Sequence, residues 1–143
     1  MHAPSPRVEL GIHLREIASS ALDVSDGLLG DLQHILKQSQ VDAEVSLDQL
    51  PKSATLQKQN ADIQNQFAAC GGDDYEICFT ASVAQRHAVD QISKSLNLPL
   101  SRIGRITEKK KAIGKLCLLD ANGNLLDDAE TAELIKSFDH FAK

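Results

Sequence analysis

The sequence predicts an α+β fold, a layered α/β domain in which a mixed sheet is covered by helices. Three observations predict it. Short apolar runs of strand type alternate along the chain with runs whose apolar residues recur at helical spacing. Turn residues punctuate nearly every change from one periodicity to the other. The 143 residues, 42% of them apolar, suffice for one sizeable core and would be cramped for two, so residues 1–143 are expected to form a single domain.

After a Pro-rich start, Val8, Leu10, Ile12, Leu14 and Ile17 predict a helix near residues 6–18. Ser20 to Val24 is a short apolar strand ending at an acidic turn. Leu28, Leu29, Leu32, Ile35 and Leu36 then recur at helical steps, giving strand, turn, helix. Ala43 to Leu47 alternates as a half-buried strand does, and Pro51 closes it. Residues 48–66 are polar and rich in Gln and Asn; a short helix and loops are expected there. Gly71-Gly72 punctuates the chain before a strand from Tyr75 to Ala81 and a helix near 83–96, whose Val83, Val89, Ile92 and Leu96 share a face. Strands follow at 101–107 and 113–119, around Lys109-Lys110-Lys111. Asp120-Ala121-Asn122-Gly123-Asn124 carries the Asn-Gly hairpin signal, and the tail from Ala129 to Phe138 is helical in part.

Composition excludes several functions. Fifteen Lys and Arg against 20 Asp and Glu give a formal charge of −5, which speaks against a nucleic-acid partner, since neutralising phosphates needs clustered cations. The single Lys run reads as a solvated loop. No stretch approaches the roughly 20 apolar residues of a membrane span, and the opening Met1-His2-Ala3-Pro4 lacks the pattern of a secretory signal. Cys70, Cys78 and Cys117 are odd in number, form no C-x-x-C pair and sit among apolar residues. The expected compartment is the cytoplasm.

Two acidic clusters carry the candidate chemistry. The first, Asp23-Val24-Ser25-Asp26-Gly27-Leu28, lies where a strand hands over to a helix. Ser25 or Asp26 is placed to cap that helix, whose dipole favours negative charge at its start. Asp23 stands between Leu22 and Val24 in an apolar strand, where burying a carboxylate is costly unless it is paired or holds a cation. The second cluster, Gly71-Gly72-Asp73-Asp74-Tyr75-Glu76, sets three carboxylates after two glycines. It reads either as a solvated turn or as a site for Mg²⁺ or a Mg²⁺-bound phosphate, because hard cations choose oxygen ligands. Asp120-x-Asn122-x-Asn124 imitates an EF-hand start, but Leu125 and Thr131 replace the Gly and Glu such a loop needs. No zinc-type His pairing, Gly-x-Ser-x-Gly elbow or P-loop is present.

Taken in order, Asp23-x-Ser25-Asp26-Gly27-Leu28, Gly71-Gly72-Asp73-Asp74-Tyr75-Glu76 and the terminal Phe138-Asp139-His140-Phe141 resemble the carboxy-terminal domain of the thiamine-monophosphate kinases. The likeness runs from Pro6-Arg7 to the terminal motif. The first motif is shared in looser form by relatives that make aminoimidazole ribonucleotide or selenophosphate. The resemblance implies a domain like the C-terminal domain of aminoimidazole ribonucleotide synthetase, acting in ATP-dependent phosphorylation of thiamine monophosphate to thiamine diphosphate with several Mg²⁺ ions.

Carried over by motif, the resemblance makes Asp23 and Asp26 Mg²⁺ ligands and Ser25 a nucleotide contact. Asp73 would contact the thiamine substrate at a position usually held by Glu; the shorter side chain leaves the contact to a bridging water or to Asp74. Phe138 would pack on the substrate's rings, its plainer reading being a core aromatic. The family's enzymes also carry an amino-terminal domain that binds ATP and forms a homodimer interface. Nothing here corresponds to it, and Met1 before His2-Ala3-Pro4 reads as a start added at a domain boundary. The expectation is an isolated second domain without appreciable activity. Two alternatives remain at this point: a relative with another acceptor, such as aminoimidazole ribonucleotide synthetase, or a non-catalytic module that binds a divalent metal.

Overall fold

The computed structural model describes residues 5–72, 75–108 and 114–136. The chain runs α1 (Val8–His13), β1 (Ala18–Asp23), α2 (Leu28–Ser39), β2 (Asp42–Ser46), α3 (Ala61–Cys70), β3 (Ile77–Ala81), α4 (Arg86–Leu96), β4 (Gly104–Thr107), β5 (Leu116–Leu119) and α5 (Asp128–Lys136), with single 3₁₀ turns at Leu47–Gln49, Leu56–Lys58 and Val83–Gln85. The mixed α/β class is as expected. The strands, however, form two sheets among the described residues: an antiparallel ribbon β1-β3, and a mixed sheet ordered β4-β2-β5 in which β2 pairs antiparallel with β4 and parallel with β5. Periodicity identifies strands but says nothing about which strand pairs with which.

The ribbon separates two cores. In β3, Cys78 faces the larger one, built by Leu29, Leu32 and Leu36 of α2, Val45 of β2 and Leu118 of β5. Ile77 and Phe79, on the other side of the pleat, pack with Leu10, Leu14 and Ile92 of the smaller one. This explains the shortened first helix. Leu10, Leu14 and Ile17 all serve the smaller core, yet the regular helix ends at His13 and residues 14–17 follow as turns, the Ile17 and Ala18 amides both donating to the Leu14 carbonyl before Ala18 joins the ribbon. The apolar spacing is helical; the last turn is not.

Other differences have local causes. In α3, which reaches Cys70 beyond the short helix expected, the Asn60 side chain accepts a bond from the Ile63 amide at 2.9 Å and caps the helix. Only Ala69 and Cys70 of α3 are buried, which is why apolar spacing barely signals it. Val83 is 70% exposed and stands in a 3₁₀ turn ahead of α4 instead of on its buried face. The Asn-Gly turn holds as expected: Leu119 bridges Leu125, and Asp120 accepts from the amides of Asn122 and Asn124 at 2.8 Å each. Those backbone bonds, chiefly from Asn124, hold the Asp120 carboxyl below its usual range. No helix among the described residues is long and apolar enough to cross a membrane.

Burial pushes the Cys70 and Cys78 thiols up to about 11 from about 9. Both are expected to resist a water-soluble alkylating reagent in the folded chain and to react once urea unfolds it. Above pH about 9 the unfolded chain releases thiol protons that the folded chain retains until about 11, so stability falls as pH rises through that window. Urea titrations at stepped pH check this; the loss is smaller in a Cys70→Ala/Cys78→Ala variant.

Candidate functional site

The two acidic turns are brought together by backbone. The β1-β3 ladder pairs Asp23 with Ile77. It then continues beyond the strands, where the Val24 amide donates to the Glu76 carbonyl at 2.7 Å and the Tyr75 amide donates to the Val24 carbonyl at 2.9 Å. Two glycines let the turns close on each other. A Cβ on Gly27 would stand 2.7 Å from the Cys70 carbonyl oxygen, and one on Gly72 would stand 2.8 Å from the Ser25 carbonyl oxygen. Gly27 also has φ 116 and ψ 140, a conformation that side chains rarely adopt.

Asp31 holds the first turn from below. It is 7% exposed in the first turn of α2, and its Oδ2 accepts from the amides of Ser25 at 2.8 Å and Asp26 at 3.1 Å. The helix dipole favours the charge there. This overturns the capping expectation for Ser25 and Asp26: the N-cap residue is Gly27, with no side-chain cap, and a residue inside the helix reaches back instead. The signal in the sequence was an Asp four residues before Ile35 on the apolar face of α2, a place where a carboxylate needs partners.

Asp23 is also corrected. It lies on the exposed face of β1 and not in a buried strand, so burial imposes no partner on it. With Pro6, Arg7, Val8, Gly11, Tyr75 and Ile77 it lines an open cleft of about 400 Å³. Tyr75, 44% exposed, has φ 51, an uncommon conformation for an aromatic residue and one that concentrates at functional sites. Asp26 is exposed and Ser25 is partly buried. The carboxylates of Asp23 and Asp26 have no hydrogen-bonding partner among the described residues.

Glu76 is committed elsewhere. Arg7 Nε donates to its Oε2 at 2.9 Å and Arg7 Nη2 to its Oε1 at 2.5 Å, a two-point ion pair between residues far apart in sequence. That bond to Glu76 raises the Arg7 guanidinium further above its ordinary value. Asp73 and Phe138, the two expected substrate contacts, lie outside the described residues, as does Asp74. Among the described residues no three His, Cys, Asp or Glu side chains gather to hold a metal. The two unpaired carboxylates and the Ser25 hydroxyl nevertheless supply the oxygen chemistry Mg²⁺ selects, and Mg²⁺ ordinarily takes only one or two protein carboxylates, with waters and substrate phosphates completing its shell.

The layered fold and paired acidic turns place the chain in a defined class. Residues 6–116 match the family model described as AIR synthase related protein, C-terminal domain, and the chain belongs to that family. Within it the similarity is to the thiamine-monophosphate kinases. The chain is 42% identical over 141 residues to the thiamine-monophosphate kinase of Haemophilus influenzae, covering 96% of this chain and 40% of that protein. The crystal structure of the thiamine-monophosphate kinase from Stenotrophomonas maltophilia K279a superposes with a TM-score of 0.74 at 46% identity, over 86% of this chain and 37% of that one. The structure of AaThiL complexed with AMPPCP and TMP gives a TM-score of 0.64 at 25% identity, over 87% and 36%. The chain thus spans well under half the length of the curated relatives it matches. The kinship with the C-terminal domain of these kinases, read from three motifs, stands on these matches.

Two substitutions test the interlock. Gly27→Ala is expected to destabilise the chain by about 3 kcal/mol, from backbone strain and the clash with Cys70, as measured by urea unfolding. Asp31→Ala leaves two amides without their acceptor and is expected to cost about 2 kcal/mol, whereas Asp31→Asn, which keeps an acceptor oxygen, costs less. Equal losses for the two Asp31 variants would contradict the hydrogen-bonding role.

Proposed function

We propose that this chain is the acceptor-side, metal-holding domain of an ATP-dependent thiamine-monophosphate kinase, which converts thiamine monophosphate to thiamine diphosphate in the cytoplasm. The observation that carries the reading is the pair of carboxylates without a partner among the described residues, Asp23 and Asp26, on a turn locked against the Gly71-Gly72 segment. The names of the relatives and the AMPPCP and TMP bound by AaThiL support the choice of reaction. In this reading Asp23 and Asp26 hold Mg²⁺, Ser25 contacts the nucleotide, and Asp73 and Phe138 contact the thiamine compound. ATP is held mainly by a further domain, which also forms the homodimer of the whole enzyme. The domain alone is inactive.

The chemistry asks little of the protein beyond placement. The attacking oxygen belongs to the acceptor's phosphate, already ionised near pH 7 given a second pKa of about 6, so no general base is required. It bonds to the γ-phosphorus of ATP as the bond to the bridging oxygen breaks, and ADP leaves carrying that electron pair. Mg²⁺, when bound, neutralises the phosphate charge gathered at this point. The chain's own part is geometric: Asp31 fixes the Ser25 and Asp26 amides, Gly27 and Gly72 admit the opposing backbone, and the ribbon holds Asp23 in the lining of the cleft.

A chimera tests this, joining the chain to the remaining portion of the Haemophilus influenzae kinase. Thiamine diphosphate is expected from thiamine monophosphate and MgATP with the chimera and not with the chain alone. Residues that merely orient metal ligands are worth 10–100-fold, so Asp23→Asn or Asp26→Asn is expected to cost at least about 100-fold. A folded chimera that binds MgATP and leaves thiamine monophosphate unconverted would transfer the assignment to a different acceptor.

A further inference from the structure

Arg7 and Asp23 line the same cleft. One is a permanently charged guanidinium and the other a carboxylate with no partner among the described residues, yet they form no ion pair. A carboxylate neutralised by Arg is a poor ligand for a cation. Arg7 is instead engaged by Glu76, whose two oxygens accept from its Nε and Nη2. Glu76 is itself fixed by backbone: its carbonyl accepts the Val24 amide, and the next residue, Ile77, is the ladder partner of Asp23. The Arg7 and Glu76 side chains are 28% and 50% exposed, so their pairing adds little to stability.

We propose that Glu76 is a positioning residue that sequesters Arg7, leaving the Asp23 carboxylate open to a divalent cation. The proposal rests on the assignment of Asp23 as a metal ligand made above. It gives the third carboxylate of the second acidic cluster a task other than metal ligation. It also predicts an asymmetry that a scaffolding ion pair does not. Removing Glu76 frees a cation beside Asp23, whereas removing Arg7 frees only another carboxylate.

The test is Mn²⁺ binding to this chain, followed by the electron paramagnetic resonance signal of the free ion, with circular dichroism confirming that each variant is folded. E76Q is expected to weaken Mn²⁺ binding about tenfold, the scale on which a neighbouring opposite charge acts on a carboxylate. R7Q is expected not to weaken it, and the double variant R7Q/E76Q to return within about threefold of the unsubstituted chain. Equal weakening by R7Q and E76Q, or a double variant as weak as E76Q, would overturn the sequestering role and leave the pair as scaffolding. A structure of E76Q supplies a second readout: Arg7 within about 3 Å of Asp23 supports the proposal, and Arg7 turned to solvent overturns it. Absence of Mn²⁺ binding in the unsubstituted chain would overturn the metal assignment of Asp23 first, and the proposal with it.

Discussion

Everything at the acidic turns depends on one close approach: two stretches of backbone, 24–27 and 70–72, pass at a separation that no side chain at Gly27 or Gly72 would allow. Backbone bonds beyond the Asp23–Ile77 pair hold the segments there, from the Val24 amide to the Glu76 carbonyl and from the Tyr75 amide to the Val24 carbonyl. The missing Cβ atoms remove the obstacle, and Asp31 fixes the first turn against α2 by accepting two of its amides. A buried carboxylate receiving two amide bonds is compensated where a lone one would be costly. The exposed carboxylates of the same turn are thereby relieved of structural duty. Among the described residues the Asp23 and Asp26 carboxylates have no structural partner.

This division of labour among carboxylates was only partly legible in the sequence. The strand, turn and helix around residues 20–36 were readable because apolar spacing changes from alternating to helical across Gly27. The motif marked Asp23 and Asp26 as candidate ligands. What the sequence could not reveal was which carboxylates are already occupied. Asp31 and Glu76 look no different in one dimension from the other acids, and their partners are respectively a folded-back turn and an arginine 69 residues away. The argument that Asp23 must be buried failed for a related reason: flanking Leu22 and Val24 mark a strand, but alternation puts Asp23 on its open side.

The split into two sheets escaped the sequence as well. Strands β2, β4 and β5 were each visible as short β-compatible runs, yet their order requires β5 to return parallel to β2 after a long excursion. Asp42 marks that junction, accepting the Lys115 amide at 2.8 Å beside the first residues of both strands. Polar helix α3 was seen only dimly because it buries little beyond its last two residues. Its contribution is made at its end, where Cys70 presents the carbonyl that Gly27 meets.

The ribbon's place between two cores reaches further. Strand β3 is a party wall, with Cys78 on one side and Ile77 and Phe79 on the other. Ile77 is at once a packing residue of the smaller core and the residue opposite Asp23. A change of volume at Leu10 or Ile92 therefore moves the wall, and with it the carboxylate mounted on its far edge. The smaller core is thus the mount of the cleft: Ile77 packs on it and lines the cleft beside Asp23, so its fit bears on where that carboxylate is held.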